Sequence, residues 1–237
     1  MMFKYLNVAL VSLALTVSNF SAHAGIIDSS SVLLDDAGAT QLENWYGQGD
    51  LDWDSIWYGT TGATSASWHA AVDGLTDTFS IYNVTYDNST YLIGGYNSGD
   101  WASPGYQHGL SANFIFNLTS NIMHDTTLGY WGLGQFATYS DASSFAVFGG
   151  AYDMSGGWNA IGTYFGSSRS FGTYNGAYGA SAKGNIVDFG LYDVSYRVNA
   201  LETFTVAPSK SVPEPSTLAI FALGMIGLAS RRFKKQS

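Results

Sequence analysis

Cysteine is absent from the 237 residues, so no disulfide braces the fold and no thiolate serves as nucleophile or metal ligand. Cations are scarce: nine Lys and Arg face 18 Asp and Glu, a formal net charge of −9 at pH 7. A surface of that sign repels phosphate backbones and anionic headgroups, which argues against nucleic acid as a partner. The four histidines include no His-x-x-x-His pair, so a zinc site is not expected. Phosphate loops and dinucleotide fingerprints are missing too. Gly95 and Gly99 flank Ser98 at the wrong offset for a nucleophile elbow.

Aromatic residues are plentiful, at 16% of the chain. Without disulfides, stability must come from packing, and large rings supply buried area. The same Tyr and Trp residues, set among Asn, Asp and Gly, suit stacking on sugar rings, so core filling and a polysaccharide-binding face both stand as explanations. The stretch Tyr91–Trp101 is central. Strand formers Tyr91, Leu92 and Ile93 precede Gly94 and Gly95, which leave room for a backbone or a ring to approach. Tyr96 and a turn cluster follow, and Trp101 is placed to cover the gap. A tight, ring-packed corner of a β-fold is expected there.

Both ends read as processing segments. Met1–Ala24 has Lys4, an apolar run Val8–Val17 and Ala22-His23-Ala24 before Gly25. These are the three regions of a secretory signal peptide, to be cut by signal peptidase after Ala24. At the other end Pro213-Glu214-Pro215 precedes an apolar run Leu218–Ala229 and then Arg231, Arg232, Lys234 and Lys235. That run falls short of the roughly 20 residues of a comfortable membrane span, while the cations resist export. Val212–Lys235 resembles the PEP-CTERM sorting signal of Gram-negative bacteria. The resemblance implies transient membrane insertion through the C-terminal helix, and processing by an exosortase near the triplet. It also implies a mature protein at the cell surface or in an exopolysaccharide matrix. Three segments follow: 1–24 as signal peptide, 25–211 as one domain and 212–237 as sorting signal. Taking Met1–Ala24 and Pro213–Ser237 away leaves four basic and seventeen acidic residues, a net charge of about −13.

Within the central segment, Asp35 or Asp36 caps a helix through Ala39–Tyr46 that stops at Gly47. Thr64 caps a second helix, Ala66–Val72, closed by Gly74. Ser29–Asp36, polar with a Val32-Leu33-Leu34 patch, reads as an entry strand or loop, and Gly49–Gly59 is assigned to no element. From Thr78 the texture turns to β. Strands are expected at Thr78–Tyr86, Tyr91–Tyr96, Asn113–Leu118, Gly129–Phe136, Ser143–Phe148, Gly157–Gly162, Ser170–Tyr174, Ile186–Val194 and Ala200–Val206. Asn113–Leu118 alternates as a half-buried strand, whereas the phase change in Thr78–Tyr86 fits a bulge or a strand covered on both faces. The fold class is mainly β (α+β), an antiparallel sandwich with short flanking helices.

The order of these blocks resembles a TLDc domain from about Leu42 to Val206. His69, Asp73 and Gly74 match an early His-x-x-x-Asp-Gly stretch, and Gly94-Gly95-Tyr96 with Trp101 matches a Gly-Gly-Tyr…Trp block. Phe148-Gly149-Gly150 with Asp153 sits where the family has a Phe-Gly-Gly-Gly-His-Asp-like motif, with Ala151 and Tyr152 in place of the third glycine and the histidine. Ala200–Phe204, carrying Glu202, resembles the closing strand. The resemblance implies a β-sandwich. It also suggests a protective role against oxidative stress, by analogy with the eukaryotic family.

Candidate chemistry is sparse. Asp50, Asp52 and Asp54 alternate like the first ligands of a calcium loop, but Ser55 and Thr61 stand where Gly and an acid are wanted. Otherwise no cofactor is expected. His69 and Asp73 lie four apart on a helix, where a carboxylate paired with a half-buried imidazole is the plainer alternative to an acid–base pair. Glu202 is expected to face solvent or to pair with Arg197. The leading expectation is a non-enzymatic, exported module associated with exopolysaccharide. The alternatives are an enzyme that cuts that polymer and a stress-protective protein.

Overall fold

A computed structural model of the protein describes residues 25–127, 129, 133–177 and 182–209. The signal segment Met1–Ala24 lies outside the described residues. So does the sorting signal with Pro213, Glu214, Pro215, Arg231 and Arg232. Among the described residues no helix is long and apolar enough to cross a membrane.

Helix α1 spans Asp36–Tyr46. Asp35 is its N-cap, accepting from the Gly38 N–H at 2.8 Å, and Gly47 ends it at φ 73°, a left-handed conformation suited to glycine. Its buried residues Ala39, Leu42 and Glu43 fall on one helical face. Strand β1, Leu51–Thr60, comes next, followed by helix α2, Ser65–Val72, capped by Thr64 and buried through Ser65, Trp68 and Val72. A hairpin of β2 (Thr78–Tyr86) and β3 (Ser89–Asn97) turns at Asp87 and Asn88, both at positive φ, the geometry that matches strand twist. Shorter strands follow: β4 Gly105–Gln107, β5 Phe114–Asn117, β6 Ile122–Asp125 and β7 Thr138–Ser140. Then come β8 Val147–Phe148, β9 Met154–Ser155 and β10 Gly166–Ser168. The long β11, Val194–Pro208, closes the described chain.

The result is mainly β: a large antiparallel sheet with two short helices. Its 11 strands run β4-β7-β8-β9-β10-β11-β2-β3-β5-β6, with β1 joined to β11. The two ends of that order are not paired with each other, so the sheet is not a closed barrel. Strand β11 is the hinge of the order. Val194–Tyr196 pairs with β10, Arg197–Thr205 with β2, and Ala200–Pro208 with β1.

Alternation along the central strands feeds two cores. Phe79, Ile81, Tyr96, Phe114, Phe116 and Phe204 join Leu42 of α1 in one cluster. Tyr82, Val84, Ile93, Ile115 and Leu201 join Trp68 of α2 in the other, with Phe145, Phe148, Tyr174 and Ile186 from the later segments. Strand β2 is therefore covered on both faces. Strand β5 is too, so the expectation of a half-buried strand there is corrected: all four residues are buried.

Several expected strands do not form. Leu51–Thr60 is a strand where no strand was expected, because Leu51 and Trp53 turn inward between outward aspartates. Ser170–Tyr174 and Ile186–Val194 are largely turns and loops despite buried Tyr174, Ile186 and Val187. Side chains replace the missing ladder: Asn185 Oδ1 accepts from the N–H groups of Val187 and Asp188. Gly157–Gly162 contributes only single bridges, Trp158 to Ser144 and Ala160 to Thr64. Ser143–Phe148 shortens to β8, and residues 133–136 form a turn.

Candidate functional site

The paired glycines of β3 admit rings at close approach. A Cβ on Gly94 would lie 2.5 Å from the Phe116 ring, and one on Gly95 would lie 2.6 Å from the ring of Phe148. Trp101 packs edge-on against Phe148 at 5.6 Å and against Trp68 at 5.2 Å. Both indoles are anchored, Trp68 Nε1 donating to Thr203 Oγ1 and Trp101 Nε1 to Thr78 Oγ1 at 2.9 Å each. Tyr96 lies on the opposite face, its hydroxyl donating to Asp77 Oδ1 at 2.5 Å. These sequence motifs therefore meet in and around the cores.

His69 and Asp73 meet at 2.7 Å through Nδ1, while Nε2 donates toward the carbonyls of Asp141 and Ser144 at 3.0 and 3.1 Å. Both ring nitrogens are committed to tying the end of α2 to the 141–144 loop. Gly74, at φ 80°, turns the chain away after Asp73. Hydrogen bonds from Ser143, and the nearby His69, hold the Asp141 carboxyl below its ordinary range.

Asp153 is fully buried. Its carboxylate accepts from the backbone N–H groups of Thr173, Tyr174 and Asn175 at 2.9, 3.4 and 3.2 Å. Burial pushes its pKa up to about 7 in spite of those donors. Gly149 at φ 87° makes room for it: a Cβ there would lie 1.7 Å from Asp153 Oδ2. Gly150 donates to Thr173 Oγ1 at 3.2 Å, so the whole Phe148–Asp153 block clamps the 172–175 turn. The network extends to residues without a recognisable sequence signal. Asn175 Oδ1 accepts from His124 Nδ1 at 2.8 Å, and burial, with Lys183 adding to it, pulls the imidazole down to about 4. Lys183 pairs with Asp125 at 2.8 Å.

Glu202 corrects its expectation. It is fully buried, whereas Arg197 is exposed. Its carboxylate accepts from the N–H groups of Val32 and Leu33 at 3.0 and 2.7 Å and from Ser55 Oγ at 2.6 Å. It thereby stitches the leading segment to β1 and β11. Glu43 does similar work unseen in the sequence, accepting from Leu51 N–H and Trp53 Nε1 at 3.0 and 3.1 Å.

The residues of the calcium-loop pattern lie on and beside β1. Asp52 and Asp54 sit on β1 and Asp50 immediately before it, on extended strand and not in a ligand loop. Asp52 and Asp54 line, with Asp28, an open groove of about 340 Å³. Among the described residues no three acidic or histidine side chains are placed to hold a metal.

Six rings form a continuous line that the sequence does not announce. His108 and Phe136 are 4.7 Å apart, Phe136 and Tyr106 5.3 Å, and Tyr106 and Tyr139 4.9 Å. Tyr139 then meets Tyr152 at 6.0 Å and Trp158 at 6.5 Å. All six are partly or well exposed. Tyr106 and Tyr139 come from β4, at one end of the strand order, and its neighbour β7. Phe136 and Tyr152 hold left-handed backbone, at φ 52° and 59°, an uncommon conformation for bulky residues and one that concentrates at functional sites. Tyr152 extends the line toward Trp158.

Among protein families, the PEP-CTERM protein-sorting motif matches residues 211–235. No curated protein matches the chain. Nothing in these comparisons supports a TLDc domain over Leu42–Val206. The sorting motif implies an exported cell-surface protein of a Gram-negative bacterium, processed by exosortase.

Proposed function

We propose that segment 25–211 is a non-enzymatic binding module for exopolysaccharide, delivered to the cell surface by its sorting signal. We assign it a TLDc-like sandwich arrangement on the order of its motif blocks and on the shared core of Gly95, Phe148, Trp101 and Trp68. The observation that carries the function is the partly exposed line of rings from His108 to Trp158 on a protein bound for the outer surface. The two residues with the clearest acid–base character, Asp153 and His124, are buried beneath the surface and committed to backbone and amide partners. They serve the fold.

Co-sedimentation of the exported protein with the exopolysaccharide of its own producer tests this, with polymer length followed in the same tubes. Retention with unchanged length is expected. Shortening of the polymer would make the protein an enzyme, and absence of both would remove the polysaccharide from its function.

A further inference from the structure

From the geometry of the ring line we infer that His108, Phe136, Tyr106, Tyr139, Tyr152 and Trp158 form one extended subsite for an uncharged polysaccharide chain. This rests on the exopolysaccharide-binding function proposed above and names the face and the ligand chemistry. Successive ring centroids are 4.7 to 6.0 Å apart, a spacing of the order of one pyranose unit. The C–H groups on a pyranose face carry partial positive charge and settle on the negative face of an aromatic ring.

The line is also held in place before any ligand arrives. Neighbouring rings meet edge-on or tilted, at interplanar angles from 56° to 88°. Tyr106 donates its hydroxyl to the Gly150 carbonyl at 3.1 Å. Rings fixed in this way lose little conformational freedom on binding.

Charge selects the ligand class. Asp141 acts electrostatically on Tyr139, and Arg169, whose charge reaches Tyr106, is itself paired with Asp193 at 3.9 Å. With an acidic chain around it, the line repels uronate, sulfate and phosphate polymers. The Arg169 cation is shared with Asp193, which leaves a polyanion only a weakened counter-charge there.

Affinity electrophoresis of the 237-residue chain tests this, in gels carrying the producer's exopolysaccharide, a neutral β-glucan or a polyuronate. Retardation by the first two and little by the third is expected. Tyr139→Ser with Trp158→Ser should weaken binding about tenfold. The ring-keeping pair Tyr139→Phe with Trp158→Phe should bind as the wild type, and so should Tyr192→Ser, whose ring is 84% exposed outside the line. Tryptophan emission supplies a readout that removes no ring: a neutral hexasaccharide should shift it in the wild type and much less in Trp158→Phe. Wild-type binding by the serine pair, with an unaltered emission shift in Trp158→Phe, would move the subsite elsewhere and leave the exopolysaccharide function standing. Tighter binding to the polyuronate would overturn the ligand class. No retardation in any gel would defeat the exopolysaccharide function itself and point to a protein partner.

Discussion

Two buried ionisable groups, Asp153 and His124, share Asn175 and pull stability in opposite directions with pH. The folded pKa of Asp153, about 7, lies above its unfolded value near 4. Its contribution is therefore full below about pH 4 and gone above about pH 7. His124 has a folded value of about 4, below the ordinary 6.5. Its contribution is full above about pH 6.5 and disappears as pH falls through 4. In the wild type the two slopes largely cancel between pH 4 and 6.5. Replacing Asp153 with Asn should cost about 1–3 kcal/mol, because an amide sets one N–H group against backbone donors. It should also unmask a rise in stability from pH 4 to 6.5, read as urea midpoints across that range. A flat profile in Asp153→Asn would show that His124 is not held neutral. Glu202→Gln makes a second residue-scale prediction: a loss of about 1–3 kcal/mol in chemical denaturation, since Val32, Leu33 and Ser55 all donate to that carboxylate.

At the scale of elements, the hairpin β2–β3 carries the close contacts on which both cores depend. Gly95→Ala places a methyl against the Phe148 ring and should destabilise the protein by about 1–3 kcal/mol. Phe148→Leu in the same chain should recover part of that loss, which a double-mutant cycle measures as coupling. Additive losses would mean that the ring does not confront Gly95. The helices are simpler. Thr64→Ala removes the cap on α2 and should cost about 1 kcal/mol in thermal or urea denaturation. The caps, Gly47 and the central strands could all be anticipated, because each depends on chemistry within a few neighbouring residues. Strands β9 and β10 could not, since two or three residues paired across long loops leave no periodic pattern.

For the whole molecule, sorting is the property written most openly in the chain. Replacing Pro213-Glu214-Pro215 with alanines should leave uncleaved protein in the membrane fraction, and unchanged release would count against exosortase processing. Export and sorting are legible because the machinery recognises short linear segments by hydropathy, charge and order. The strand-rich class and both helices were legible for a similar reason: capping, turn chemistry and alternation act locally. Tertiary structure alone decided the rest. It buried Glu202, which its neighbours in sequence left free to face solvent or Arg197, because backbone donors 169 and 170 residues away converge on it. It set Asp52 and Asp54 along a strand instead of in a loop. It also gathered rings from residues 106 to 158 into one line. Sequence spacing carries no record of such a line, because the pairing of distant strands and two left-handed backbone turns bring those rings together.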